Sequence, residues 1–95
     1  MIQIDYNKAI RKADELNEQG RKLLKAIQRL ENERQTLSSQ WKGPAADAFQ
    51  RRQESLIQEI QKAYSAIMRC AEDIEETVYI IKRQDEEIAR KANRL

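Results

Sequence analysis

The chain has 95 residues, enough for one domain at most. Charged residues make up 36% and hydrophobic residues 40%, with aromatics only 5%. This is the profile of a long amphipathic helix or coiled coil, not of a compact mixed domain. The formal net charge of +2 comes from basic and acidic residues interspersed along the whole chain, which leaves neither a sustained basic face for nucleic acid nor an acidic tail.

The N-terminus, Met1-Ile2-Gln3-Ile4-Asp5-Tyr6, lacks the basic region and apolar core of a secretory signal. Asp5 is placed to cap a helix after the apolar Ile2 and Ile4. The first helix is expected over about 5–40. One seam position takes Tyr6, Ala13, Gly20, Ile27, Arg34 and Trp41, and the other takes Ala9, Leu16, Leu23, Leu30 and Leu37. Ile10 and Leu24 widen the stripe. A seven-residue apolar repeat of this length predicts lengthwise packing on another helix. Gly20 reads either as a point of close approach by a partner helix or as a tolerated flaw costing about 1 kcal/mol against Ala. The stem of Arg34 is expected to cover the seam with its head in water.

The turn is expected at 41–44. Trp41-Lys42-Gly43-Pro44 contains the only Trp, the only Pro and one of the two Gly residues. Ser38 and Ser39 weaken the helix ahead of it. Gly43 suits a reversal, and Pro44 fits the first turn of a new helix, where no N–H bond is lost. Asp47 then meets the positive end of the helix dipole. Trp41 packs over the hairpin end against Phe49, or stands half exposed as part of a docking surface, and the two are compatible.

The second helix is expected over about 45–90, with a loose C-terminal tail to 95. One seam position takes Ile60, Ile67, Ile74, Ile81, Ile88 and Leu95. The second takes Phe49, Leu56, Ala63, Cys70 and Thr77, then fails at Gln84 and Lys91. Ile57, Tyr64, Ala71, Val78 and Ala92 form a flanking column. Cys70 reads as a small buried apolar residue. Helix one, at about 55 Å, should reach back to about residue 80, leaving Ile81 to Leu95 without a partner in the chain. Val78-Tyr79-Ile80-Ile81 covers all sides of a helix, so Tyr79 is expected to face away from the seam, with Ile80 at the flank. With Ile81 and Asp85 they form a candidate C-terminal recognition patch.

The expected fold is therefore all-α, a two-helix antiparallel hairpin in one domain spanning 1–95. Two helices leave much apolar surface wet, and pairing of two hairpins into a four-helix bundle is the expected remedy. The candidate partner interface is Leu16, Gly20, Leu23, Ile60, Ile67, Ile74 and Val78. No enzyme is expected, because no nucleophile has a base beside it, no Gly-rich loop occurs and there is no His. A lone Cys rules out an internal disulfide. Glu72-Asp73-Glu75-Glu76 and Asp85-Glu86-Glu87 read as solvated faces, so no metal, cofactor or small-molecule substrate is expected. No apolar run approaches a membrane span.

The length, the helices on both sides and the central Trp41-Lys42-Gly43 resemble the WXG family, the small ESAT-like proteins of type VII (ESX) secretion. The resemblance covers the whole chain. It implies an exported hairpin, cytoplasmic before export, that forms a homodimer or a heterodimer and engages the type VII secretion ATPase. It also implies roles for Trp41 and Gly43 in the turn and for the C-terminal tail in recognition by the machinery. One departure stands out. Family members or their partners often carry Tyr-x-x-x-Asp/Glu after the second helix. Here Tyr79 is followed four residues on by Arg83, Tyr64 by Met68, and Asp85 is preceded four residues earlier by Ile81. That departure suits a chain travelling with a partner, such as a small helical protein bound to the N-terminal helical domain of an LXG toxin. An intracellular coiled-coil adaptor is the remaining alternative.

Overall fold

A computed structural model describes residues 5–94. Ile2, Ile4 and Leu95, named above in the sequence pattern, lie outside the described residues. Two helices account for nearly all of the rest: α1 over Tyr6–Gln40 and α2 over Pro44–Asn93. They fold back on each other into a rod with extents of 79 × 18 × 16 Å.

Local chemistry sets both ends of α1. The Asp5 carboxylate accepts a hydrogen bond from the Lys8 N–H at 3.0 Å, satisfying one of the donors left free at a helix start. At the far end the Ser38 and Ser39 hydroxyls donate to the Gln35 and Thr36 carbonyls at 3.1 and 2.7 Å. Both serines stay helical, because each bonds back to the turn it follows. Trp41 then adopts an extended backbone and its N–H donates to the Leu37 carbonyl at 2.9 Å.

Gly43 makes the reversal. Its φ of 118° and ψ of 174° fall in a region that is essentially reserved for glycine. The Gly43 carbonyl accepts the Asp47 N–H at 3.0 Å, and Pro44 opens α2. The helix then runs unbroken to Asn93, three residues past the expected end, with Arg90 and Lys91 in its last turn, where cations are favoured by the dipole.

Small side chains let the helices approach. Ala13, Gly20 and Ile27 are buried on α1; Ala46, Ile57, Ala71 and Val78 are buried on α2. Ala13 and Ala71 are completely covered, at 0% exposure each. Of the two columns expected at the α1 seam, the one through Ala13, Gly20 and Ile27 is buried there, whereas Leu16, Leu23, Leu30 and Leu37 are only half-buried at its edge. On α2 the buried column is not the expected one. Ile57, Tyr64, Ala71 and Val78, expected at the flank, face α1, whereas Phe49, Leu56, Ala63, Cys70 and Thr77, expected at the seam, are exposed. Cys70 is accordingly exposed, not buried. The apolar stripe of α2 is three columns wide, and α1 covers only one side of it.

The pairing also extends further than the length of α1 implies. The Tyr6 hydroxyl donates to the Asp85 carboxylate, and Ile81 is half-buried. The unpartnered part of α2 thus begins beyond Asp85, not at Ile81. The first turn of α2 is spent on the reversal, with Ala46 buried at the hairpin end, so lengthwise pairing starts later than a count from Pro44 assumes.

At Gly20 the close approach is real, but it is made by a side chain. A Cβ there would lie 2.5 Å from the Met68 sulfur and 3.7 Å from the Tyr64 ring. Gly20→Ala therefore sets about 1 kcal/mol of helix propensity against displacement of a flexible thioether. The expected result is a small change in stability alone and a gain of about 1 kcal/mol when the same change is made in Met68→Ala. Chemical denaturation of the four proteins of this double-mutant cycle measures the coupling, and equal effects of Gly20→Ala in both backgrounds would contradict it.

Candidate interaction surface

The two long edges of the rod differ in chemistry. One edge is closed by polar bonds between the helices. The Asn17 amide donates to Glu75 at 3.2 Å. Arg34 donates from Nε to the Gln50 side chain at 2.9 Å, and its Nη2 lies 3.4 Å from a Glu54 oxygen. Gln50 returns a bond to the Arg34 carbonyl at 3.3 Å. The Arg34 head, expected in water, is thus drawn onto α2 and left 32% exposed. An ion pair this open is worth at most about 1 kcal/mol.

The other edge is open and apolar. Leu16, Leu23 and Leu30 each follow a buried residue of α1 by three positions, and Leu37 follows Arg34 in the same way. Ile60, Ile67, Ile74 and Ile81 follow Ile57, Tyr64, Ala71 and Val78 by the same step. The same angular offset from the seam on two antiparallel helices falls on the same side of the pair. A concavity lined by Leu30, Glu33, Arg34, Leu37, Phe49 and Gln53 joins the two helices on this side. All eight of these Leu and Ile residues are half-buried. Phe49 and Leu56, the latter 45% exposed, extend the face outward along α2, with Ala63 and Cys70 between small gaps.

The residues singled out from the sequence therefore divide. Leu16, Leu23, Ile60, Ile67 and Ile74 lie on the open face. Gly20 and Val78 are buried between the helices of the chain itself. Phe49 and Leu56, placed at the intramolecular seam on sequence grounds, belong instead to the open face. Their signal was present in the width of the stripe, but a width alone does not say which part meets which neighbour.

At the hairpin end the Trp41 and Phe49 rings pack 5.6 Å apart at 51°. Trp41 remains 39% exposed, so packing on Phe49 leaves part of the indole accessible. A Cβ on Gly43 would meet nothing within 4 Å, and its constraint is conformational alone.

Toward the other end Tyr79 and Ile80 are exposed, and Ile88 is 66% exposed. The Arg83 guanidinium lies 5.9 Å from the centre of the Tyr79 ring, a cation–π distance. Asp85 is engaged by Tyr6, and Ile81 turns toward α1. The phenol of Tyr6 is raised above its ordinary value first by that bond to Asp85, then by desolvation and by the charges of Asp85 and Glu86. A raised acid of this kind supports the contact below pH 10, and the support is lost as pH climbs through the raised value. Among the described residues no group of three or more His, Cys, Asp or Glu side chains is arranged to hold a metal ion. No described helix is long and apolar enough to cross a membrane.

Two long antiparallel helices reversed at Trp-x-Gly define a WXG-type helical hairpin. The family model WXG100, proteins of 100 residues with WXG, matches residues 1–92. The chain belongs to this family, which is linked to type VII secretion. Neither the curated proteins nor the solved structures compared with it gave a match.

Proposed function

We propose that this chain is a non-enzymatic partner protein of a type VII secretion system, exported by it or directing another chain to it. In this reading the open apolar face docks a second helical hairpin to complete a four-helix bundle, and the Trp41–Gly43 end is presented to the secretion ATPase. The observation that carries the reading is the asymmetry of the rod. One edge carries the inter-helix polar bonds of Arg34, Gln50, Glu54, Asn17 and Glu75, while the opposite edge leaves a ladder of Leu and Ile half open. A continuous half-open apolar ladder of this kind supports a docking role for the face.

Trp41→Ala is expected to reduce export at least tenfold while leaving far-UV helicity within a few per cent, since the ring is 39% exposed and touches Phe49 at the hairpin end. Immunodetection of the chain in culture medium, with and without an active type VII ATPase, measures this. Equal export of mutant and wild type would remove the turn from recognition. Retention of the chain in the cell while the ATPase is active would favour the intracellular-adaptor alternative, and secretion unchanged in its absence would point to another route.

A specific observation favours a second version of the same reading. Tyr79 pairs with Arg83, and Asp85 is held by Tyr6 from α1. No aromatic stands four residues before a free acid in this part of α2. An export signal needing that pair would be supplied by a companion, such as the helical domain of an LXG toxin. Loss of toxin export on deletion of this chain is the expected result for that version.

A further inference from the structure

Midway along the rod the two helices touch through a glycine and a thioether. Gly20 is buried on α1, and a Cβ built on it would lie 2.5 Å from the Met68 sulfur and 3.5 Å from the Met68 Cγ. The sulfur thus takes the place of a side chain on α1 and rests on the backbone of that helix. The Tyr64 ring, one turn earlier on α2, closes the same spot at 3.7 Å. An unbranched, flexible thioether suits such a gap. Along α2, Met68 is the apolar member of a seven-residue column that runs Glu54, Gln61, Met68 and Glu75. Glu54 and Glu75 bond across to Arg34 and Asn17, so Met68 lies on the edge that carries the polar bonds. It is half-buried there, not sealed. Being opposite the open face, it stays within reach of small solutes whether or not that face is covered.

We propose that Met68 is a peroxide-sensitive joint: as the sulfide it lets α1 and α2 pack at Gly20, and as the sulfoxide it forces them apart. In the oxidising step a lone pair of the thioether sulfur attacks one oxygen of a hydroperoxide. The O–O bond breaks and an S–O bond forms. The proton on the transferred oxygen passes to the departing hydroxide or alkoxide. The sulfur is oxidised, and the peroxide is reduced to water or an alcohol. The product is polar and carries one more atom at the point of closest approach. Gly20 lies in the interior of α1, where backbone N–H groups are already bonded within the helix. A sulfoxide oxygen turned inward therefore finds no donor there, and burial without one is unfavourable. An oxygen turned out to water draws the sulfur off Gly20 and leaves its contacts unmade. Both orientations undo the packing. A thiol-dependent sulfoxide reductase restores the sulfide, so the joint is reversible. Cys70 does not share this role. It is exposed on the other side of α2, and its oxidation leaves the contact at Gly20 intact.

The test uses the full chain with Cys70→Ser, which removes the only thiol. Hydrogen peroxide should place one oxygen on Met68, located by peptide mapping. The thermal midpoint followed by circular dichroism should then fall by at least about 4 degrees. The share of chains with the lowered midpoint should match the share oxidised at Met68, not at Met1, the one other Met. Methionine sulfoxide reductases acting with dithiothreitol should return the midpoint to its starting value. Neither of these readouts needs a variant at position 68. Met68→Leu, close in volume and unable to form a sulfoxide, should melt at the same temperature before and after peroxide. Full oxidation of Met68 with an unmoved midpoint overturns the proposal. So does a Met68 that stays a sulfide under a dose that oxidises Met1. An equal loss of stability in peroxide-treated Met68→Leu overturns it as well, since the damage then lies elsewhere. Export enters none of these measurements, so the result is independent of the proposed role in secretion.

Discussion

Replacing Ala71 with Glu is expected to abolish the cooperative thermal transition of this chain, while Cys70→Glu, one residue away, is expected to leave the hairpin helical. Ala71 is 0% exposed and faces α1 with Ala13; Cys70 is exposed on the open face. The two positions differ by about 100° around one helix. A carboxylate at Ala71 would have to be buried without a partner or force the helices apart. The penalty for an unpaired buried charge is several kcal/mol after relaxation. Chains of this size have little stability to set against it. At Cys70 the same carboxylate stays in water in the isolated hairpin and meets apolar surface only when another hairpin docks. Circular dichroism on heating should therefore show a lost transition for Ala71→Glu. For Cys70→Glu it should show a hairpin whose association is weakened at least tenfold by analytical ultracentrifugation. The reverse pattern would place Cys70 in the seam and undo the assignment of faces.

That contrast also marks where sequence reasoning reaches its limit. The helices and the turn were legible because every strong helix breaker except Gly20 is gathered at 41–44, and the physics of Gly, Pro and Asp5 capping is local. On α1 the column Ala13, Gly20 and Ile27 was legible, but the row Leu16, Leu23, Leu30 and Leu37, read as the second seam position, is half-buried on the open face. On α2 the columns through Phe49, Ile57 and Ile60 are all apolar, and a heptad count treats the widest pair as the seam. What decides is size. Gly20 and Ala13 on α1 demand close approach, and Ala71 with the flexible Met68 answers it from α2. That is a property of the pair, not of either helix alone. The overhang was misjudged for a related reason. A helix length gives the reach of α1, but the offset consumed by the reversal at Gly43 is tertiary. Likewise the Arg34 head leaves water because Gln50 and Glu54 happen to face it across the seam, and neither is marked in the pattern of α1.

Gly43→Val is expected to lower the stability of the hairpin by about 1–3 kcal/mol, the range for a side-chain-bearing residue held in a strained backbone region. Its effect on export should be larger than its effect on helix content. The Gly43 φ of 118° with ψ of 174° is the only positive φ among the described residues, and no atom lies within 4 Å of a Cβ built there. Space is therefore not the constraint, and relief by trimming a neighbour is not available. The β-branched side chain must move the backbone instead. Moving φ re-aims Trp41, two residues earlier, relative to Phe49, with which it packs at 5.6 Å. It also disturbs the Gly43 carbonyl that accepts the Asp47 N–H. The helices themselves keep their caps at Asp5 and their seam at Ala13 and Ala71, so most far-UV signal should survive. The expected outcome is about 4 to 24 degrees lost in thermal midpoint, near-native ellipticity at low temperature, and changed Trp41 fluorescence, Trp41 being the only Trp. Export should fall as far as it does for Trp41→Ala. If Gly43→Val keeps the native fluorescence spectrum and stability, the backbone at this position tolerates a side chain and the motif's glycine has another cause. If fluorescence shifts but export is unchanged, the geometry of the hairpin end is not what the secretion machinery reads.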